Sequence, residues 1–324
     1  MEFNPNSYQN MQYRQCGKWG LKLPVISLGG WQTVGGYENA GEARKVFYAA
    51  FDAGITHFDF ANNYGRPAGN GEIEGGKILQ DLPRDEIIIS SKAGYYMWPG
   101  PYGEWGSRKY IIASCDQSLK RMGVDYFDIF YHHRPDNNTP LEETHGALET
   151  LIQQGKVLYA GVSSYSPEMT EDAVKLREKK NWFPITIHQP VYNLLNRWIE
   201  SGLVQNAAKN GYGIIAFSPL AQGLLSDRYL NSTPADSRFG VQGKDKVLTE
   251  LDWAKIKGLN EIAQERGQSL AQMALSWILR LPEVTSVLTG VSRMEQLEDS
   301  LKAIDHMTFS SDELDAIERV LAWQ

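Results

Sequence analysis

The sequence predicts an α/β protein, a (β/α)8 TIM barrel in a single domain over residues 1–324. Three observations predict it. Eight short apolar runs recur along the chain, segments with helical spacing alternate with them, and polar residues gather where the runs end. Continuous apolar strands alternating with amphipathic helices indicate a parallel sheet whose faces are both buried. Eight such units close on themselves and leave no free edge. An open doubly wound sheet is the structural alternative, and the count of eight favours closure.

Residues 11–25 (MQYRQCGKWGLKLPV) read as an N-terminal β-hairpin turning at Gly17. VISLGG (25–30) is the first buried strand, and the helix at 42–54 follows it and stops at Gly54. The second strand is THFDFA (56–61) with a helix over 72–80; the third is EIIISSKAG (86–94) with a helix over 108–123 that ends at Gly123. YFDIFYHH (126–133) precedes a helix over 140–155, VLYAGVSS (157–164) one around 167–178, and ITIHQPVYN (185–193) one near 201–209. GIIAFSP (213–219) leads into a long insertion, and TSVLTGVS (285–292) is the last strand, with a helix over 294–304. Residues 219–249 break the rhythm with Gly223, Pro234, Gly240 and Gly243. Loops of that length inside compact domains usually serve function, so this one reads as a lid over a ligand at the barrel mouth.

Composition excludes several classes of function. A net charge of −7 lacks the basic footprint of a nucleic-acid binder. Residues 1–13 are polar, and no run reaches membrane-span length, so a cytoplasmic protein without a membrane span is expected. The two cysteines, Cys16 and Cys115, form neither a disulfide framework nor a metal-ligand spacing.

Barrel enzymes carry their chemistry at the C-terminal ends of the strands. Here those ends read Asp59 to Tyr64, Ser90-Ser91-Lys92, His132-His133-Arg134, Ser163-Ser164, Gln189 and Ser218. A carboxylate and an ammonium group inside neighbouring apolar strands are costly unless paired, so Asp59 and Lys92 are expected to pair with each other. A structural ion pair would explain those two, but not Tyr64 and His133 converging on the same mouth. A phenol serves better as a general acid when its pKa is lowered, and the Lys92 ammonium is expected to lower that of Tyr64. His133 would donate a hydrogen bond to a carbonyl oxygen. The set suits protonation of an oxygen gaining negative charge; it contains no metal and no activated nucleophile.

The segments HFDFANNYG, SSKAG, DIFYHHRPD, GVSSYS, HQPVYNLLNR, AFSPLAQGLL and SVLTGVSRMEQL, in this order, resemble the aldo-keto reductase family over nearly the whole chain. The stretch SKAGYYMWPGPYGEWGSRKY is similar to the bacterial L-glyceraldehyde-3-phosphate reductase branch, which is related to the potassium channel β-subunits. The resemblance implies NADPH-dependent reduction of a small aldehyde, L-glyceraldehyde 3-phosphate or a methylglyoxal-type carbonyl among them. It implies a tetrad of Asp59, Tyr64, Lys92 and His133, with Tyr64 the proton donor. For the cofactor it implies Gly30 and Trp31 at the nicotinamide end, with Asp59 beside it. Ser163, Ser164 and Gln189 would grip the carboxamide, and Phe217 would stack on the ring. Ser218, Leu220, Gln222, Gly223, Arg228 and Arg238 would belong to the loop over the pyrophosphate, and Gly290, Ser292, Arg293 and Gln296 to the adenosine end. Arg293 also opens a helix after strand eight, a frequent phosphate site of barrels. Asp299 and Ser300 stand where relatives usually carry Glu-Asn, which puts the adenine contacts in question. Trp31, Tyr64, Trp98, Arg108 and Arg134 are the expected substrate contacts, with the two arginines as candidates for a substrate phosphate. The channel-related branch also points to a homo-tetramer or homo-octamer.

Other readings have weaker support. The channel β-subunits suggest an NADPH-binding, redox-sensing regulatory subunit with little turnover, but these typically carry Asn where this chain has His133. A glycosidase needs two carboxylates at strand ends, and only Asp59 is well placed. A His132–His133–Asp136 metal site lacks spaced ligands. GNGEIEG (69–75) is one residue too long for a dinucleotide fingerprint, and reads as a loop entering the second helix.

Overall fold

A computed structural model describes residues 3–36, 39–230 and 249–323. Its eight parallel strands form a closed barrel in which each pairs with the next in chain order and the last pairs with the first. They are β3 (Ile26–Gly29), β4 (His57–Asp59), β5 (Ile88–Ala93), β6 (Phe127–His132), β7 (Val157–Ser163), β8 (Ile185–Gln189), β9 (Gly213–Ala216) and β10 (Val284–Thr289). The strands are short and almost wholly buried, as a sheet covered by helices outside and side chains inside requires.

Local chemistry sets where the helices begin and end. Ser107 accepts a hydrogen bond from the Tyr110 amide at the start of Arg108–Met122, and Gly123 ends that helix in the left-handed region at φ +71°. Ser166 caps Pro167–Lys179, whose first residue is a proline already set for helical φ. Outward-facing strand residues pack on the helices, as where Phe47 of Ala40–Asp52 stacks on Phe58 with ring centroids 5.4 Å apart. Burying each such side chain contributes about 1.5–3 kcal/mol.

The predicted hairpin is present as β1 (Tyr13–Gln15) and β2 (Lys22–Pro24), paired antiparallel, with Gly17 at φ +58°. It closes the barrel floor. Cys16, Leu21 and Leu23 pack with the interior residues Ile129, Tyr131, Ile187, Ile215 and Leu288. Arg14 donates to the carbonyls of Leu279 and Val284 at 2.9 and 2.8 Å. The mouth, where the strands end, is left for chemistry.

Three helices extend the predicted pattern: Glu250–Glu265, Leu270–Leu279 and Ser311–Leu321. Each opens with a reciprocal capping box, Thr249 with Asp252, Ser269 with Gln272, and Ser310 with Glu313. The GNGEIEG segment, read from the sequence as a loop entering the second helix, is instead the start of that helix, Asn70–Leu79, with Gly69 at the N-cap in the left-handed region. Glu72 there is buried and bound to Arg121 at 2.7 Å and Ser91 at 2.5 Å. Among the described residues, no helix is long and apolar enough to cross a membrane.

Candidate active site

Asp59 ends β4, and Lys92 lies near the end of the neighbouring β5, both fully buried. Lys92 Nζ lies 2.5 Å from Asp59 Oδ2 and 2.6 Å from the Phe60 carbonyl, and 3.5 Å from the Tyr64 hydroxyl. Tyr64 stands on the loop after β4, partly open to the cleft, held where its own carbonyl accepts from the amides of Gly69 and Gly71. The His133 ring, just past β6, lies edge-on to Tyr64 at 6.0 Å. The four expected residues therefore share one mouth.

Electrostatics differ from the sequence expectation at Tyr64. Burial, then the Asp59 carboxylate and Tyr95, push its phenol well above the ordinary value instead of below it. Lys92 sits closer to Asp59 than to Tyr64, so the phenol faces a nearly neutral ion pair, and desolvation by the surrounding side chains prevails. Tyr64 consequently holds its proton at neutral pH. Burial pulls Lys92 below its ordinary value, while Asp59 opposes that pull. Burial, followed by the charge of Lys92, drives His133 well below its ordinary value, leaving a neutral imidazole with one donor and one acceptor nitrogen.

The expected cofactor residues that are described end the strands or follow them on the same side of the barrel. Gln189 Nε2 donates to Asp59 Oδ1 at 3.2 Å, and Ser163 Oγ donates to the Gln189 carbonyl at 2.8 Å. Trp31 is exposed on the loop after β3, and a Cβ added to Gly290 after β10 would lie 3.9 Å from its carbonyl. Gly30 has a packing reason for lacking a side chain, since a Cβ there would come within 2.7 Å of the Phe60 ring. Phe217 and Ser218 follow β9, where Asn193 donates to the Ser218 carbonyl at 2.9 Å. Leu220 precedes the turn Ala221–Gly223, which contains Gln222; Arg228 lies exposed in the turn Asp227–Tyr229. Arg238 lies outside the described residues. Arg293 is exposed at the N-terminus of the helix Met294–Leu301, and the Ser292 amide donates to Gln296 Oε1 at 2.9 Å. Asp299 accepts from Ser269 and Gln272 of the neighbouring helix at 3.0 and 2.6 Å, and Ser300 is buried.

Backbone conformation marks the mouth independently. Gln32, Trp105, Ser164, Ser218, Ala221 and Gln222 all have positive φ, on loops that follow strands β3, β5, β7 and β9. Each such non-glycine residue costs on the order of 1–3 kcal/mol, and such strain gathers at ligand clamps. His133 Nδ1 and Asn63 Oδ1 are buried beside Tyr64 with no protein partner. Strained loops around a cleft fit a ligand clamp.

Two expected substrate contacts are placed otherwise. The Arg108 guanidinium binds the Gly146 carbonyl and the Thr150 hydroxyl of the next helix at 3.1 and 2.8 Å, which takes it away from the cleft. Trp98 packs on Tyr110 with ring centroids 5.1 Å apart; the aromatic of that loop that meets His133 is Tyr95, at 4.7 Å. Arg134 does adjoin the mouth. Its guanidinium stacks 3.6 Å from the Trp105 ring centroid and pairs with Glu104 at 2.7 Å. His132 faces away from the cleft, bound to the Tyr165 hydroxyl at 2.6 Å, while Asp136 accepts from the backbone amides of Gly106 and Asn138. These two do not converge with His133 on a common ligand point.

Residues 25–322 match the sequence model of the aldo/keto reductase family. The chain belongs to that family. It is 55% identical to the L-glyceraldehyde 3-phosphate reductase of Escherichia coli strain K12 and 54% identical to that of strain O157:H7, each over 98% of this chain and 95% of the relative. It is also 35% identical to a probable voltage-gated potassium channel subunit beta of Arabidopsis thaliana, over 96% of this chain and 97% of the relative. As an aldo/keto reductase family member the chain is an oxidoreductase acting on carbonyls with a nicotinamide cofactor. The family match leaves Ser90 and His57 unremarked. They stand two residues before Lys92 and Asp59, on the same inward parity, and that spacing was the signal that could have found them.

Proposed function

We propose that the chain reduces small aldehydes to alcohols with NADPH, L-glyceraldehyde 3-phosphate among them. The observation that carries this reading is Lys92 held between Asp59 and Tyr64 at the barrel mouth, 2.5 Å from the carboxylate and 3.5 Å from the phenol, with His133 alongside. NADPH, when bound, supplies the hydride. Trp31, Ser163, Ser164, Gln189 and Phe217 would hold its nicotinamide end, the loop from Ser218 to Arg228 would cover its diphosphate, and Arg293 would meet its 2′-phosphate.

Each tetrad residue then has a definite task. His133 is neutral and orients the carbonyl oxygen by a hydrogen bond. Tyr64 retains its proton until that oxygen gains negative charge, and then gives it up. Lys92 stabilises the resulting phenolate across 3.5 Å, and Asp59 keeps Lys92 aimed. Arg134 supplies a cation beside His133, and a substrate phosphate would compete with Glu104 for it.

The test is NADPH oxidation with a panel containing glyceraldehyde, its 3-phosphate and methylglyoxal. A kcat/KM for the 3-phosphate at least about tenfold above that for glyceraldehyde supports a phosphate anchor. Equal values remove the phosphate claim. NADPH binding with no turnover on any aldehyde would replace the enzyme reading with that of a redox-sensing subunit.

A further inference from the structure

Beneath the Asp59–Lys92 pair, a line of buried side chains runs down the barrel interior. Ser90 Oγ donates to Asp59 Oδ1 at 2.6 Å, and His57 Nε2 lies 3.0 Å from Ser90 Oγ. On its other side, His57 Nδ1 lies 2.9 Å from Ser27 Oγ, which is 2.7 Å from Ser286 Oγ. Ser27, His57, Asp59, Ser90 and Ser286 are all fully buried, on strands β3, β4, β5 and β10.

Counting protons gives the line a direction. Ser90 has one hydroxyl proton, and Asp59 can only accept it, so Ser90 must accept from His57 Nε2–H. A neutral imidazole with its proton on Nε2 has a bare Nδ1, which accepts from Ser27. Ser27, having given its proton to His57, accepts from Ser286. Burial keeps His57 neutral by pulling its pKa down to about 4, with Asp59 opposing and Lys92 assisting. Those two are the charged groups acting on it, one on its own strand and one on β5; from β3 the uncharged Ser27 meets the ring.

We propose that His57 is a positioning residue for carbonyl reduction: by donating from Nε2 to Ser90 Oγ it holds the Ser90 hydroxyl on Asp59 Oδ1, which leaves Oδ2 aimed at Lys92, and Lys92 at Tyr64. This rests on the proposed roles of Asp59, Lys92 and Tyr64. With the opposite tautomer, Ser90 would donate to His57 and turn a lone pair toward Oδ1. The carboxylate would then lose its closest neutral donor and keep on Oδ1 the longer bond from Gln189, so its aim at the ammonium group would loosen.

The test uses the full chain with NADPH and an aldehyde, and four variants. Glutamine offers a donor and an acceptor at similar separation to the two ring nitrogens, while leucine offers neither. His57→Leu should lower kcat by about tenfold or more and displace the alkaline limb of its pH profile. His57→Gln should recover most of the loss. Ser90→Ala, a small change that keeps the fold testable if leucine does not fit, should match His57→Leu, and the two together should be no worse than either alone. Tyr64→Phe is the control. If it is inactive while His57→Leu and Ser90→Ala keep wild-type kcat and pH profile, the inference is wrong. A His57→Gln variant as impaired as leucine, with a wild-type thermal transition, overturns it as well. An active Tyr64→Phe overturns instead the reading beneath it.

Discussion

Gln189 on β8 donates a hydrogen bond to Asp59 on β4 at 3.2 Å, across the barrel interior. A residue expected to hold the cofactor thus also holds the carboxylate that aims Lys92. Binding and chemistry should be coupled at this point. Gln189→Leu removes a hydrogen bond to a charged group, about 1.5–3 kcal/mol. It should raise the KM for NADPH and lower kcat, each by roughly tenfold. A variant in which only one of the two changes would show that the bond does not couple them.

Lys92 and Asp59 are both inaccessible to solvent, and removing one strands the other. Lys92→Met should therefore destabilise the fold by about 3–5 kcal/mol, read as a lower denaturant midpoint. Adding Asp59→Asn to it should restore much of that loss, because no lone charge remains. Both variants should be inactive. If the double variant is less stable than Lys92→Met, the lost stability does not come from a stranded carboxylate.

Much of this arrangement is legible in the chain because strand parity is strict. Asp59 and Lys92 are polar residues inside apolar runs, and period two places His57 and Ser90 on the same inner face. The barrel itself follows from the alternation of strands and helices. Side-chain destination is less legible, because it depends on neighbours far away in sequence. Arg108 is a plausible phosphate ligand by position, yet its guanidinium reaches a carbonyl and a hydroxyl on a helix about forty residues on. The direction of the Tyr64 shift turned first on burial of the phenol, with the Asp59 carboxylate and Tyr95 adding to it, and no spacing rule contains the depth to which a loop residue is buried. The helices Glu250–Glu265, Leu270–Leu279 and Ser311–Leu321 had a signal in their Ser/Thr-x-x-Asp/Gln/Glu starts, but they interrupt a strict one-helix-per-strand rhythm.

Arg293 provides a test of cofactor choice. It caps the helix Met294–Leu301 directly after the last strand, where backbone amides and the helix dipole favour an anion. Losing a charge-assisted contact to a 2′-phosphate costs about 1.5–3 kcal/mol. Arg293→Met should raise the KM for NADPH by about ten- to a hundredfold and leave that for NADH nearly unchanged. Equal losses with both cofactors would mean that Arg293 does not read the phosphate.

Buried histidines predict how stability responds to acid. His57, His132, His145 and His188 are almost wholly buried, and burial lowers the pKa of each: His57 and His132 to about 4, His188 to about 3, and His145 well below its ordinary value. In the unfolded chain all four protonate near the ordinary value of about 6.5. Below that pH the unfolded state binds more protons than the fold, so stability must rise with pH across this window. The full contribution is present above about pH 6.5, and is lost as pH falls toward about 4. Each imidazole contributes at most about 1.4 kcal/mol per pH unit, so the denaturant midpoint should drop steeply between pH 6.5 and 4.5. His132→Asn, which removes a titrating ring outside the tetrad, should flatten that slope. A midpoint that stays level over this range would mean that the rings protonate inside the folded protein.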